Sequence, residues 1–316
     1  MGYRLGIDIG ATKTKLILLN PQGKIAAREQ IRTESIGSVE PIATRAGQAL
    51  EGILARAKLP RSRLQACGIG VAGQLDPKSG VIDDSPNLQW FGVQFKKPME
   101  QALGLKIRMA NDVNAAAWGE YWFGSKRTCP NLAAVFVGSG IGGGFVINGS
   151  LVEGASGTAA EVGHAIFREN GLRCDCGRLG CHEAYAGGVP MEKRMRKLAG
   201  QGKAPLVAKM VQGELSRINT RTIADAAKRG DPKAGRIWKD AVLSLCVLAA
   251  NLVSLLNPER LVLGGGVIEG NPSLVPTIRK FVDERAVALS ARKVEIIQSQ
   301  LKGDAIALGA AALVEL

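Results

Sequence analysis

Three cysteines and a histidine stand close together near the middle of the chain. Cys174, Cys176 and Cys181 have the spacing C-x-C-x₄-C, and His164 lies ten residues before the first of them. Three thiolates and one imidazole suit tetrahedral Zn²⁺, and a zinc ion with four protein ligands is structural rather than catalytic. The spacing therefore predicts a closed structural zinc site. His182 is an alternative imidazole ligand, and a redox-active or accidental thiol cluster is the alternative interpretation.

Three glycine-rich turns, each placed after an apolar stretch, could hold phosphate groups. Glycine lets backbone N–H groups approach a phosphate closely, because no Cβ stands in the way. The first turn also offers a hydroxyl, an ammonium group and a carboxylate that could hold Mg²⁺ through water. None of the turns matches the P-loop pattern, and the G-x-G-x-x-G run of the second lies in a hairpin pattern. The candidate phosphate-binding residues are Asp8, Gly10, Thr12, Lys13, Gly138, Ser139, Gly140, Gly264 and Gly265.

The pair Asn111-Asp112 stands between a strand pattern and an Ala-rich helix pattern. A carboxylate near a helix N-terminus is stabilised there, so Asp112 has a structural interpretation as an N-cap. The functional interpretation is a general base, which takes a proton from a substrate hydroxyl as that hydroxyl attacks a γ-phosphate.

Two segments with one shared pattern must position these side chains. Residues 4–19 and 132–147 each consist of a strand, a glycine turn and a second strand, followed by a hairpin-turn sequence. This repetition predicts two related α/β halves, each beginning with a β-hairpin whose turn faces a shared cleft. We assign the smaller α/β domain to residues 1–117 plus 301–316, and the larger domain to residues 118–300.

The remaining patterns predict mostly helices. Pro41–Lys58 and Ala115–Phe123 have helical patterns, and residues 187–257 are helical almost throughout. A further strand begins at Arg260, and a terminal helix closes the chain. The irregular segment Asn87–Pro98, which contains aromatic residues, predicts a loop.

The chain has 316 residues, of which 46% are hydrophobic, and a formal net charge of +13. This apolar fraction is typical of globular proteins and excludes intrinsic disorder. Residues 191–239 alone contain 13 basic and 4 acidic residues. Because this basic segment is separate in sequence from the glycine turns, we interpret it as a solvated helical face. An anionic partner such as polyphosphate is the alternative.

The sequence favours a cytoplasmic protein. Asp8 interrupts the first apolar run, so the N-terminus does not resemble a secretory signal. The uncharged stretch Ala241–Asn257 is shorter than the roughly 20 residues that a membrane span requires, and it predicts a buried core helix rather than a membrane partner. In a reducing compartment, Cys67, Cys129 and Cys246 are expected to be ordinary core thiols.

These motifs together resemble the ROK family of sugar kinases and regulators, within the sugar kinase/actin/Hsp70 group. The resemblance covers nearly the whole chain and is most specific at Glu161–Glu183, where E-x-G-H precedes C-x-C-G-x-x-G-C-x-E. It implies an α/β, two-domain actin-like (ribonuclease H-like) ATPase fold with a zinc knuckle, in which a sugar and ATP meet in the interdomain cleft. Ala160 and His182 are modest departures from the family pattern.

The resemblance also implies roles for individual residues. Asp112 matches the catalytic base, and the glycine turns match the sites for ATP with Mg²⁺. The structural Zn²⁺ would hold Glu161 and Glu183 in place, and a homo-oligomer (dimer or tetramer) is expected. The residues that match sugar-hydroxyl ligands are Asn87, Asn111, Glu161, His164 and Glu183, and those that match zinc ligands are His164, Cys174, Cys176 and Cys181.

The implied reaction is ATP-dependent phosphorylation of a hexose, with the 6-hydroxyl of glucose as the preferred acceptor. Fructose, mannose, N-acetylmannosamine or N-acetylglucosamine could replace glucose, and polyphosphate could replace ATP. A sugar-responsive transcriptional regulator is an alternative of a different class. Such regulators carry a winged helix-turn-helix before the first phosphate turn, whereas only four residues precede Leu5. We therefore expect no DNA partner.

Overall fold

The computed structural model describes residues 2–34 and 37–315. The strands are β1 (Tyr3–Ile9), β2 (Lys13–Leu19), β3 (Ile25–Arg32), β4 (Leu64–Val71), β5 (Gln74–Asp76), β6 (Val81–Ser85), β7 (Trp90–Gln94), β8 (Ile107–Asn111), β9 (Leu132–Val137), β10 (Ile141–Ile147), β11 (Ser150–Leu151), β12 (Arg260–Gly264) and β13 (Glu295–Gln298).

The helices alternate with these strands in the first half of the chain and dominate the second. They are α1 (Glu40–Ala57), α2 (Lys96–Leu103), α3 (Asp112–Gly119), α4 (His182–Ala186), α5 (Gly188–Gly200), α6 (Pro205–Met210), α7 (Thr220–Lys228), α8 (Pro232–Leu256), α9 (Gly266–Gly270), α10 (Leu274–Arg285), α11 (Ala288–Lys293) and α12 (Ala305–Ala312).

The two five-stranded sheets have the same strand order. The first sheet runs β3-β2-β1-β4-β8 and the second runs β11-β10-β9-β12-β13. In the first sheet, β1 pairs antiparallel with β2 and parallel with β4, and β4 pairs parallel with β8. In the second sheet, β12 pairs parallel with both β9 and β13. The predicted pair of related α/β halves is therefore confirmed at the level of sheet topology.

The chain divides into two compact units. One comprises Met1–Pro130, Gly144–Ala160 and Gln300–Leu316, and the other comprises Asn131–Gly143 and Glu161–Ser299. The boundary that we expect after residue 117 stays a prediction.

In the first unit, two helices of small residues cross at very short range. Helix α12 packs against both α3 and the first sheet. A Cβ on Gly309 of α12 would lie 1.7 Å from the carbonyl oxygen of Ala115 in α3, a distance that no side chain allows. Glycine at this position therefore lets α12 pack closely against α3, which holds α3 beside the sheet. This contact positions the start of α3, where Asp112 lies.

The second unit is built around α8, which confirms the predicted core helix. Its buried residues include Ala241, Leu245, Leu248 and Val253, and it packs against α4, α7 and α10. By length and composition alone α8 could also cross a membrane, and half of its most apolar stretch is buried inside the structure.

Three sequence-based expectations need correction. The segment Asn87–Pro98 is not a loop, because it contains β7 and the start of α2. Strand β7 pairs with β6 in a three-stranded sheet, β5-β6-β7. The side chain of Trp90 in β7 is fully buried, as is that of Phe95 just after the strand. The helix expected from Ala115 begins at Asp112. Cys129, expected in the core, is only partly buried.

The basic segment 191–239 forms α5, α6, α7 and the start of α8, as its helical pattern predicts. Most of its basic side chains are exposed, among them Lys197, Lys233, Arg236 and Lys239. Some pair with nearby acids, as Arg196 does with Glu192. These positions are those of a solvated helical face.

Candidate functional site

In the first unit, three parallel strands end side by side. Ile9 at the end of β1 aligns with Val71 of β4, and Val71 aligns with Asn111 of β8. The first glycine turn follows Ile9 and Asp112 follows Asn111, so both lie at the same edge of the sheet. This edge, at the carboxyl ends of parallel strands, is where α/β sheets generally bind their ligands.

Two buried threonines hold the first glycine turn. Inside the turn, the N–H of Gly10 donates to the carbonyl oxygen of Lys13 at 3.1 Å. Thr33 donates its hydroxyl to the Gly10 carbonyl at 2.6 Å and its N–H to the Thr12 carbonyl at 3.1 Å. The Thr14 hydroxyl lies 3.1 Å from that of Thr33. The turn is thus fixed from behind, while Thr12 and Lys13 are exposed to solvent.

Asp8 and Asp112 influence each other electrostatically. Burial first, and then the negative charge of Asp112, raise the pKa of Asp8 to about 7, while the Lys15 ammonium acts in the opposite direction. Lys15 is opposite Asp8 in the β1–β2 register, and its Nζ donates to Asp304 Oδ1 at 2.9 Å. Two neighbouring carboxylates form a donor set that a hard divalent cation favours, so these residues fit Mg²⁺.

Asn111, rather than Asp112, is the N-cap of α3. Its Oδ1 accepts from the N–H groups of Val113 and Asn114, and its Nδ2 donates to the Gly73 carbonyl at 3.0 Å. Asp112 is the first helical residue, and its Oδ1 accepts from the Val113 N–H at 3.0 Å. The structural interpretation of Asp112 as the cap is therefore wrong by one residue. Its carboxylate still benefits from the positive end of the helix dipole.

Asn87 lies in the exposed turn between β6 and β7. Ser85, at the end of β6, donates its hydroxyl to the carbonyl of Ala72 at 2.6 Å. Ala72 precedes Gly73, whose carbonyl accepts from Asn111. A short series of hydrogen bonds therefore connects the turn that carries Asn87 to the sheet edge that carries Asn111.

In the second unit, the other two glycine turns lie next to each other. Strands β9 and β12 are parallel, with Phe136 aligned to Gly264. The second turn begins at Gly138, directly after β9, and Gly265 follows β12 and precedes α9. Like the first turn, both follow the carboxyl ends of parallel strands.

The start of α5 holds the second turn. The N–H of Gly188 donates to the Gly138 carbonyl at 3.0 Å, and the N–H of Val189 donates to the Ser139 carbonyl at 2.9 Å. Within the turn, Gly138 N–H donates to the Gly140 carbonyl at 2.9 Å. Ser139 remains exposed to solvent.

The predicted zinc ligands converge. One ligand atom from each of His164, Cys174, Cys176 and Cys181 lies within 4.8 Å of the others. Cys176 Sγ and Cys181 Sγ are 3.7 Å apart, and Cys174 Sγ is 3.8 Å from His164 Nδ1. Tetrahedral zinc with Zn–S bonds of about 2.3 Å requires sulfur atoms about 3.8 Å apart, so the four residues fit the ion.

Glu183 lies between this cluster and the second glycine turn. Its Oε2 accepts from the N–H of Ile141 at 2.7 Å, and its Oε1 lies 3.9 Å from Cys174 Sγ. A Cβ on Gly140 would lie 2.2 Å from Oε2, so residue 140 must be glycine for the carboxylate to keep this position.

Glu161 and His164 lie in the same neighbourhood. Burial raises the pKa of Glu161; the His164 charge opposes this shift and the Glu183 charge adds to it. The backbone of the segment is also tight, with His164 N–H donating to the Glu161 carbonyl at 3.0 Å. The second unit therefore brings together three of the predicted sugar ligands.

His182 is not part of the cluster. Its Nδ1 lies 2.9 Å from the Ser244 hydroxyl in α8, and the residue is buried. Burial lowers the pKa of His182 to about 4, so the ring is neutral at physiological pH. Of the two imidazoles that the sequence offered, the structure places His164 with the cysteines.

Comparison with family models identifies the family to which the chain belongs. The model described as "ROK family" matches residues 4–316. The chain belongs to the ROK family. Its mixed α/β sheets agree with the fold of solved members, including the ROK glucokinase from Streptomyces griseus in complex with glucose and AMPPNP. That structure is 32% identical, covers 99% of each chain and has a TM-score of 0.80.

Curated relatives include both kinases and regulators. The chain is 32% identical to a glucokinase from Streptomyces coelicolor, over 99% of this chain and 98% of the relative. It is also 29% identical to a xylose repressor from Caldicellulosiruptor bescii, over 99% of this chain and 78% of the relative. Family membership alone therefore does not separate the two classes of activity.

Sequence patterns do not indicate most of the residues that hold these turns and carboxylates in place. Thr33 is distant in sequence from the turn that it clamps, and nothing local marks it. Lys15 had a usable signal, because alternation in Lys13–Leu19 puts every second side chain on one face of β2. The Ile141 N–H that binds Glu183 is a backbone group, which no pattern of side chains indicates.

Proposed function

We propose that this chain is an ATP-dependent hexose kinase that phosphorylates the 6-hydroxyl of glucose, with Asp112 as the general base. The observation that carries this proposal is the shared sheet edge of the first unit. There the Asp112 carboxylate, at the start of α3, accompanies Asp8 and the clamped glycine turn. A base beside a phosphate-binding turn suits phosphoryl transfer to an alcohol.

In this mechanism Asp112 takes the proton of the sugar hydroxyl as its oxygen attacks the γ-phosphorus. The N-terminus of α3 stabilises the ionised carboxylate before the transfer. The backbone bond from Val113 N–H to Oδ1 fixes its direction. Positioning and electrostatic stabilisation account for most catalysis in phosphoryl transfer, since the protein itself makes no covalent bond.

The glycine turns would hold the phosphates of ATP. In the first unit, Gly10, Thr12 and Lys13 offer backbone N–H groups, a hydroxyl and an ammonium group. In the second unit, Gly138, Ser139 and Gly140 offer further donors, and Gly264 and Gly265 border the nucleotide. Asp8 would hold Mg²⁺ through water. When bound, Mg²⁺ neutralises the charge that develops on the phosphates.

The sugar hydroxyls would be bound by carboxylates, an imidazole and amides. The second unit offers Glu161, His164 and Glu183, and the first offers Asn87 and Asn111. Carboxylate acceptors suit hydroxyl donors, and each such charge-assisted hydrogen bond is stronger than a neutral one.

A structural zinc ion would be held by His164, Cys174, Cys176 and Cys181. It would cross-link the knuckle, residues 172–181, to the segment that begins at Glu161. Cys181 directly precedes α4, the helix that carries Glu183. The knuckle therefore fixes two sugar ligands without itself taking part in the reaction.

We also propose a cytoplasmic location and a homo-oligomeric assembly. All six cysteines are free thiols in the structure, as a reducing compartment requires. Sedimentation of the purified protein tests the assembly: a dimer or tetramer is expected, and a monomer at assay concentration contradicts it.

A side-by-side assay tests the function. Glucose, fructose, mannose, N-acetylmannosamine and N-acetylglucosamine are each offered with ATP, and glucose is also offered with polyphosphate. The proposal expects the highest kcat/KM for glucose with ATP. A higher value for another sugar would move the proposal to that sugar, and no phosphorylation of any sugar would favour a sugar-responsive regulator.

A further inference from the structure

The three cysteines of the knuckle differ in their access to solvent. Cys176 is exposed, whereas Cys174 and Cys181 are buried. Cys176 lies at the start of a turn, and two glycines of positive φ, Gly177 at 88° and Gly180 at 82°, follow it. A reagent that arrives from solvent therefore meets the sulfur of Cys176 before either of the other two.

The four candidate ligands form two close pairs. Cys176 Sγ is 3.7 Å from Cys181 Sγ, and Cys174 Sγ is 3.8 Å from His164 Nδ1. The exposed sulfur thus has a second sulfur within reach of a small rotation. Only one residue separates Cys174 from Cys176, which makes a disulfide ring between them tight. Four residues, two of them glycines, separate Cys176 from Cys181.

We infer that Cys176 is an oxidation site, at which a peroxide links Cys176 to Cys181 and releases the metal ion. This inference rests on the structural zinc proposed above. The exposed Cys176 Sγ lies 3.7 Å from Cys181 Sγ, so the sulfur that meets the peroxide first has a second sulfur in place to resolve it. An exposed thiolate beside a resolving thiolate is the arrangement found in redox-sensing cysteines.

The chemistry balances in two steps. The Cys176 thiolate attacks one oxygen of hydrogen peroxide, the O–O bond breaks and hydroxide leaves, which gives a sulfenic acid. The Cys181 thiolate then attacks the Cys176 sulfur, forms the S–S bond and displaces the second oxygen as hydroxide. The two thiolates supply the two electrons that reduce the peroxide, and each hydroxide takes a proton from solvent and becomes water. The site retains two of four ligands and releases the ion.

Oxidation of Cys181 is expected to affect the proposed sugar site, because α4 connects the two. Cys181 directly precedes this helix, and Glu183 lies two residues further on. Tyr185, also in α4, accepts a hydrogen bond from the Leu172 N–H at 2.8 Å, which joins the helix to the knuckle. When Cys181 turns toward Cys176, the start of α4 loses its fixed position. Oxidation is therefore expected to weaken hexose binding.

The test treats the reduced, zinc-loaded protein with increasing hydrogen peroxide. Three quantities are followed: zinc captured by a chromogenic chelator, remaining free thiols, and glucose affinity by calorimetry. We expect one zinc ion to be released for every two thiols lost, together with at least a tenfold loss of glucose affinity. Dithiothreitol with added Zn²⁺ should restore both. Retention of zinc while thiols are consumed would overturn the inference.

Peptide mapping identifies the bond. Trypsin cuts after Arg173 and Arg178, so the product should contain peptide 174–178 joined to the peptide that begins at Leu179. Fragmentation then distinguishes Cys176 from Cys174 as the linked residue. Linkage through Cys174, or overoxidation of Cys176 without any linkage, would contradict the inference.

Two variants complete the design. Cys129→Ser removes a partly buried thiol outside the cluster, and it should release zinc as the wild type does. Cys176→Ser should form no linked peptide. If the reduced wild type contains no zinc, the proposed zinc site fails; a Cys176–Cys181 link formed by peroxide in that protein would still support the oxidation site, and its absence would overturn it.

Discussion

The two five-stranded sheets share one strand order but offer different chemistry at their carboxyl ends. The first sheet ends in charged side chains, with Asp8 and Asp112 close enough to affect each other. The second ends in two glycine turns, and the nearby Glu183 is oriented by the Ile141 N–H. One topology therefore supports two tasks, reactive charge at one edge and backbone donors with an oriented carboxylate at the other. Short segments after the strands, not the sheets themselves, therefore determine the chemistry.

Removal of the base from the first sheet should have the largest effect. Asp112→Asn keeps the shape of the side chain but cannot take a proton, so kcat should fall by about 10²–10⁴-fold. Glucose affinity, measured by calorimetry, should remain close to that of the wild type. A variant with normal turnover would remove Asp112 from the mechanism.

Neutralisation of the second carboxylate should have the next largest effect. Asp8→Asn is expected to lower kcat by about 10²–10³-fold, the usual cost of losing an electrostatic contact to the transition state. Steady-state kinetics at several Mg²⁺ concentrations would also show weaker Mg²⁺ dependence. Unchanged kcat at low Mg²⁺ would contradict the role of Asp8.

A change in the second glycine turn should weaken glucose binding. In Gly140→Ala the new Cβ collides with Glu183 Oε2 and displaces the carboxylate. Loss of a charge-assisted hydrogen bond costs about 1.5–3 kcal/mol, so glucose Kd should rise about 10–100-fold. Gly138→Ala is the matched control, since a Cβ there meets no atom within 4 Å. Equal glucose Kd values for the two variants would argue against the Glu183 assignment.

Loss of the Thr33 hydroxyl, which holds the first turn, should lower the free energy of unfolding more than it lowers kcat. Thr33→Val removes the bonds to Gly10 and Thr14 and leaves their oxygens buried. The free energy of unfolding should fall by about 1–3 kcal/mol. The KM for ATP should rise. Thr33→Ser, which retains the hydroxyl, should recover most of both in denaturant melts and kinetics.

The basic helical face should have the smallest effect, because it belongs to neither sheet edge. Lys233, Arg236 and Lys239 are exposed on α8, and their joint replacement by Gln should change stability by less than about 0.5 kcal/mol per site. Turnover with ATP should not change. Salt-dependent binding of polyphosphate that disappears in the triple variant would instead identify this face as a polyanion site.

The repeated halves were predictable because apolar strands and glycine turns recur in the same order. Metal-ligand spacing likewise indicated the cluster of His164 and the three cysteines, which the structure brings together. Strand β7 was missed because its residue types do not alternate: two aromatic residues stand side by side, Trp90 on the buried face and Phe91 on the exposed one. Contacts such as that of Thr33 with Gly10 join residues that are distant in sequence. No local pattern in a single sequence indicates which distant residues come into contact.

Phosphoryl transfer from ATP to a hexose yields a sugar phosphate, and detection of this product is the decisive measurement. The protein is incubated with ATP, Mg²⁺ and glucose, and the reaction is followed by ³¹P nuclear magnetic resonance. We expect a phosphomonoester on the 6-oxygen that accumulates in equal amounts with ADP. Release of inorganic phosphate without a sugar phosphate, or no consumption of ATP, would contradict it.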